Sequence, residues 1–504
     1  MRFFSAFKVL SLAAVLLISS PAIAKMGSGK VTTGNSDVNM EIFGSLKTYP
    51  HFVSNVDFNA GDTANDWLLD ESGIIDNDEM TVRNEFRLGF KGSGDNWTFK
   101  SILESDFALT KGNVDRGKRP GDNHDLGMDG EDFGVEKLKF TYDFSSYGAP
   151  VTLMTGWSTN YLDLETGGIL YGDDHPYIGM SGKFNDISWE VMTLIINDVV
   201  GNGMVGDRTF KDHKIYEDHI GISNIEGDSD DKNWTAYTAK MTMPVNNFNI
   251  SPIYAYSDNR ANNADVHYLG VQAYGKLGKL APQAEFVYAV GEKDNYNASG
   301  TIKDADISAY GGYAAVVASI SDKLNPYVGG YFLSGDDDAS DSDIEAFNPI
   351  TNISRYAGPF GTENGMIYKG VPVLGAPLYS NAPERLGGMG SGYGGISNLA
   401  SAQNPGLQSL GIGTKGSMDK WAYKLQFQYL MFAETGALED VEGNSIDDTI
   451  GYEGDLKITY NFSENFSLGN VISVMEPGDG VQDIHGPDYD ETALVDTLEM
   501  KWNF

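Results

Sequence analysis

Cysteine is absent from all 504 residues, which removes disulfides, thiolate metal centres and cysteine nucleophiles from consideration. Basic side chains are few: 35 Lys and Arg stand against 71 Asp and Glu, a net charge of -36. Nucleic acid is thereby excluded as a partner, since like charges repel along the phosphate backbone. Long apolar runs are missing apart from Val9–Ile18, "VLSLAAVLLI", and that run is too short to anchor a helix across a bilayer. It follows Arg2 and Lys8 and precedes Pro21 and the small-residue triplet Ala22-Ile23-Ala24. This pattern predicts a secretory signal peptide, residues 1–24, cleaved after Ala24. Residues 25–37 then form a leading segment, and 38–504 the folded body.

What the chain does have is 60 Gly, 12% aromatic residues and a period of two. "RNEFRLGFKG" sets Phe86, Leu88 and Phe90 on one face against Arg83, Glu85, Arg87 and Lys91 on the other. "WTFKSILESDF" sets Trp97, Phe99, Leu103 and Phe107 against Lys100, Glu104 and Asp106, and only "GSGDN" separates the two runs. Such alternation predicts paired strands with one apolar and one polar face. The same grammar recurs in "EKLKFTYDF", "WAYKLQFQYLMF" and "GDLKITYNF", to a total of eighteen strands. Short turns at Gly92–Asn96, Ser145–Pro150, Asn185-Asp186, Pro244–Asn247, Lys276–Leu280, Ser321–Asn325, Gly416–Lys420 and Ser463–Asn465 alternate with nine longer polar connections. An open sheet of that size would leave two unpaired edges and its outer aromatics in water. The prediction is an all-β protein: a transmembrane antiparallel up-and-down β-barrel of about 18 strands, with 16 the alternative, short turns at one end and long loops at the other.

The end of the chain, "TLEMKWNF", alternates Leu498, Met500, Trp502 and Phe504 with polar residues. It resembles the C-terminal assembly strand of Gram-negative outer-membrane porins, and the early hairpin "VRNEFRLGFKG…WTFKSILESDF" is similar to theirs. The resemblance implies an outer-membrane location, lipid and lipopolysaccharide around the wall, handling by the barrel assembly machinery, a homotrimer, and no cofactor. It implies passive diffusion of ions and small hydrophilic solutes through an aqueous lumen, with periplasmic turns and extracellular loops. A lumenal basic wall would comprise Arg83, Arg87, Lys91, Lys100, Lys137 and Lys139, paired in part with Glu85, Glu104 and Asp106. A third loop, Ser158–Tyr177, would fold inward and set Asp163, Glu165, Asp173 and Asp174 across from that wall. Net acidity leans toward cations.

The connection 336–406 is the outlier, about 70 residues long, a length that signals function or disorder. Its start, "SGDDD…FNP", is reminiscent of the alginate-export group of barrels, so a polysaccharide exporter, or a scaffold sheathing a partner protein, is the alternative. Asp336, Asp338, Asp341 and Asp343 are a weak calcium candidate without the spacing or Gly of an EF-hand; otherwise no metal is expected. Of seven His, only His267 is placed by the alternation on a strand, and none lies in a GxSxG context. No enzyme is expected.

Overall fold

A computed structural model of the chain describes residues 29–31, 38–55, 58, 80–108, 134–197, 234–260, 263–298, 301–338, 340–352, 359–362, 365 and 405–504. The expected signal peptide, 1–24, and the Gly-rich stretch of the long connection lie outside these residues. The expectation of an all-β barrel holds. Strands β1 Asn39–Ser54, β2 Met80–Ser93, β3 Trp97–Ala108, β4 Gly134–Asp143, β5 Val151–Tyr161 and β6 Tyr171–Phe184 come first. β7 Ile187–Asn197, β8 Trp234–Val245, β9 Phe248–Asn259, β10 Ala264–Gly275, β11 Leu280–Ala298 and β12 Thr301–Ala318 follow. β13 Asn325–Leu333, β14 Leu407–Met418, β15 Trp421–Met431, β16 Thr449–Asn461, β17 Phe466–Pro477 and β18 Ala493–Asn503 complete the set. Each is antiparallel to its chain neighbours, and β18 pairs with β1, so the eighteen strands close.

All eight short turns fall where the spacing placed them. Three are two-residue loops opening on a residue in the left-handed region: Asn185 (φ 52°), Asn246 (φ 55°) and Asp419 (φ 53°). Asn and Asp tolerate that conformation, and the turn it begins matches the twist of the paired strands. The long connections need correction. β9 ends at Asn259 and β10 begins at Ala264, while β11 and β12 pair up to Ala298 opposite Thr301. Two of the nine are therefore short, and the polar residues assigned to a loop there extend β11 and β12 to 19 and 18 residues. Within the leading segment, Gly29–Val31 folds back to pair with Met40–Ile42.

Outward positions form an apolar belt that includes Leu138, Ile178, Leu269, Phe286, Leu410, Ile412 and Leu425, all exposed. Lipid, not protein, is the solvent such a face needs. At the short-turn end a chain of rings, Trp421–Tyr460–Phe462–Phe466–Trp502, runs round the rim with neighbouring centroids 4.7–5.2 Å apart. Trp502 thus belongs to an interfacial girdle. Phe504 seals the seam: its N–H donates to Gly44 O at 2.9 Å and its carbonyl accepts from Gly44 N–H at 2.8 Å. A Cβ on Gly44 would lie 2.3 Å from the Phe504 ring, so the closure requires glycine there.

Candidate functional site: the barrel lumen

Register decides which side chains share the lumen. Lys91 lies opposite Lys100, and Lys100 opposite Lys139, so three lysines from β2, β3 and β4 form one inward row. Lys137 sits one pair further along β4, opposite Ile102. Like charges placed directly across strands repel, and such a row persists because this wall is wetted: the Lys91 side chain is 48% exposed. Phe43 of β1 supports the row from below, its ring 4.8 Å from Lys91 Nζ and 5.6 Å from Lys100 Nζ.

Arg87 behaves differently. Its guanidinium contacts Glu85 at 2.9 Å, Glu136 at 3.1 Å, and Glu104. Lys47 adds a 2.6 Å pair to Glu85. Of the expected wall, Lys91, Lys100, Lys137 and Lys139 come together as a basic surface, whereas Arg87, Glu85 and Glu104 form a neutralised cluster. Arg83 pairs in β2 opposite Ala108, and Asp106 in β3 opposite Glu85; their side chains lie outside the described set.

Sequence reasoning missed a second row. Lys415, Lys424 and Lys457 face one another across β14, β15 and β16, with the Lys457 ammonium 2.9 Å from Glu499 and Lys501 3.7 Å from the same carboxylate. The signal was available. A tight turn centred between Asp419 and Lys420 puts residues equidistant from it face to face, as Lys415 and Lys424 are.

The third loop is shorter than expected. β5 reaches Tyr161 and β6 begins at Tyr171, so the loop proper is 162–170, and Asp173 and Asp174 are strand residues opposite Asn160 and Thr159. Because the strands continue, only Asp163 and Glu165 of the expected acids are on the loop. The loop lies against the inner face of β8 and β10–β13. Thr166 donates to Glu285 Oε2 at 2.7 Å, as does Gly167 N–H at 2.9 Å; the Tyr331 hydroxyl donates to Gly167 O at 3.3 Å, and Lys240 to Leu162 O at 2.7 Å. Gly167 is required by this approach, since a Cβ there would be 2.7 Å from Tyr313 Cβ. Asp163 is fully buried and spends its carboxylate on the N–H groups of Leu170 and of Tyr171 at the start of β6. Glu165 pairs with Lys240 at 2.9 Å. Neither described acid is aimed at the lysine row as a free charge.

The described residues of the long connection, 334–406 by strand ends, also enter. Asp343–Ile344 pairs alongside β12 and Thr351–Asn352 alongside the start of β6, while Ile344, Phe347, Ile350 and Phe360 are at most 1% exposed. Gly361 O accepts from Lys424 Nζ at 2.6 Å, and Phe360 O from Gln426 Nε2 at 2.8 Å. The calcium candidate is not assembled: Asp338 and Asp341 instead accept from Ser340 and Asp343 N–H at 2.8 Å each, closing local turns. No group of three His, Cys, Asp or Glu able to hold a metal occurs among the described residues. Asp336 is buried and accepts from Glu345 N–H at 3.2 Å and Asp338 N–H at 3.4 Å. Burial, with Asp341 and Glu345 nearby, pushes its carboxyl up to about 7. His51 and His175, expected in loops, lie in β1 and β6.

A closed eighteen-stranded antiparallel barrel with loops folded into its lumen is the fold of an outer-membrane porin. The chain is similar in structure to Pseudomonas aeruginosa OccK2 (OpdF), solved in complex with glucuronate (TM-score 0.51, 10% identity, 92% of this chain and 98% of that one). It is also similar to OccK9 (OpdG) of the same organism (TM-score 0.50, 10% identity, 92% and 98% covered). No known family and no curated protein matches the sequence.

Proposed function

We propose that the chain is an outer-membrane channel for passive diffusion of small hydrophilic solutes, and that its described wall selects anionic, carboxylate-bearing ones. The observation that carries this reading is the inward lysine row Lys91–Lys100–Lys139, to which the second row adds Lys415, its Lys424 and Lys457 being engaged by Gly361 O and Glu499. Clefts lined by one sign of charge concentrate counter-ions. The cation preference expected from net acidity requires loop acids to dominate the narrowest point, yet Asp163 and Glu165 are already engaged. Glucuronate, bound by one structural neighbour, is a carboxylate and fits the same wall. A scaffold sheathing a second protein needs a lumen free of its own loops, and here two loops occupy it.

Exported by the signal peptide and inserted by the assembly machinery, the barrel would sit in lipopolysaccharide-bearing membrane, as a trimer. Single-channel recording in a planar bilayer tests the selection. A reversal potential of anion sign under a KCl gradient, with glucuronate reducing the current, is the expected result. Cation selectivity without solute block would overturn the assignment of the lysine rows as the filter.

A further inference from the structure

The seat of loop 162–170 holds more acceptor oxygens than donors. Asp163 accepts from Leu170 N–H at 2.5 Å and Tyr171 N–H at 3.4 Å, and Glu285 Oε2 accepts from Thr166 and Gly167. Thr166 Oγ1 accepts in turn from Gln272 Nε2 at 2.6 Å. Two oxygens remain: Glu285 Oε1 and Gln272 Oε1, both buried and without a donor. Gln272 and Glu285 stand directly opposite each other on β10 and β11, 0% and 4% exposed. Thr166, bonded to Glu285 Oε2, also lies 3.3 Å from Asp163 O, so the loop seats Asp163 beside Glu285.

One proton on Glu285 would supply a single donor, to Gln272 Oε1 or to Asp163 but not to both. Two buried carboxylates without a counter-charge are costly. The neighbouring ammonium, Lys240, is committed to Leu162 O and Glu165, and Tyr313 and Tyr331, packed against Gly167, bring no positive charge. A single small cation answers every orphan at once. We propose that Asp163, Glu285 and Gln272 form a divalent-cation site of calcium type, which fastens loop 162–170 to β10 and β11. Two carboxylates and an amide carbonyl are the hard oxygen donors this ion takes, in flexible geometry completed by water.

The test compares full-length refolded wild type with Glu285→Gln and Asp163→Asn, each stripped with EDTA, re-equilibrated with limiting calcium and desalted. Wild type is expected to retain one calcium equivalent per chain more than either variant, whatever the surface acids hold in common. Heat-modifiable gel mobility reports that both variants are folded barrels. EDTA should also raise the conductance of wild type and leave Glu285→Gln unmoved. Equal calcium in wild type and both folded variants would overturn the site. So would a conductance that follows pH and not calcium, which would mark a shared proton. The conductance arm rests on the channel reading, while the metal content does not, so failure of one is distinguishable from failure of the other.

Discussion

The two sides of the lumen obey the same strand grammar and reach opposite ends. On β9–β13 the inward positions are Tyr268, Tyr313, Tyr327 and Tyr331 interleaved with Ala255, Ala289, Ala309 and Ala315, none more than 5% exposed. On β1–β4 they are Lys47, Arg87 and Lys91, with side chains 22%, 31% and 48% exposed. Both walls turn apolar residues to lipid. The tyrosine wall alternates large and small side chains, so loops pack onto it like a core, and the lysine wall, its charges turned to solvent, offers them no such surface. Where the water runs is therefore set by which wall can hold protein.

The largest effect should come from breaking the packed side. Gly167→Val places a branched side chain where Tyr313 Cβ and Cγ already stand, 2.7 and 2.8 Å from the new Cβ. Overpacking of this kind costs about 1–3 kcal/mol, comparable to the hydrogen bonds that seat the loop. The loop should lift and single-channel conductance rise; an unchanged conductance would mean that loop 162–170 does not limit the path.

Next comes the wet side. Converting Lys91, Lys100 and Lys139 together to Gln should move the reversal potential toward cations, because three adjacent charges leave one row. Lys415→Gln with Lys457→Gln should move it less, since Lys457 already shares Glu499 with Lys501. Equal shifts would place both rows at the narrowest point.

How much of this was legible follows from the range of each signal. Strand number, the eight turns and the lipid face are local, and alternation with turn chemistry reveals them. Lys91 and Lys100 could be paired from sequence because "GSGDN" fixes the register between them. The neutralisation of Arg87 by Glu136 was hidden, as it depends on an irregularity near Glu136, where Ile102 pairs with Lys137 but Leu103 with Val135. The seat of the third loop was also hidden: Thr166 meets Glu285 119 residues away, and no periodicity spans that distance. Asp173 and Asp174 read as loop acids because polar residues in a strand that outruns the membrane look like a loop.

Stability separates the two kinds of basic residue on the lysine side. Arg87→Gln strips three carboxylates of their shared partner, and Glu85 is nearly buried. A loss of about 1.5–3 kcal/mol is expected in denaturant unfolding, the range for hydrogen bonds to charged groups. A neutral outcome would show that Lys47 alone suffices for Glu85.

The base of the long connection should add a pH dependence. Asp336 keeps its proton to about pH 7 when folded, whereas an unfolded chain releases it near the ordinary carboxylate value of about 3.9. A folded value above the unfolded one means stability is fullest at low pH and declines as pH rises from about 4 to 7, then levels. Asp336→Asn cannot titrate, so its melting temperature relative to wild type should climb across that window. A constant difference between pH 4 and pH 8 would remove Asp336 as the cause.

The smallest effect has the opposite sign to that of Arg87. Lys100 stands between Lys91 and Lys139 on the same face, and directly opposed like charges are destabilising, where an opposite-charge pair would contribute about 0.2–1 kcal/mol. Lys100→Gln should therefore stabilise the barrel slightly in low salt, and the gain should fade as salt screens the row. If Lys100→Gln destabilises at every ionic strength, the lysine contributes through its stem against Phe43 and not through its charge. The row would then be partly a packed surface, and the contrast between the two walls would be one of degree.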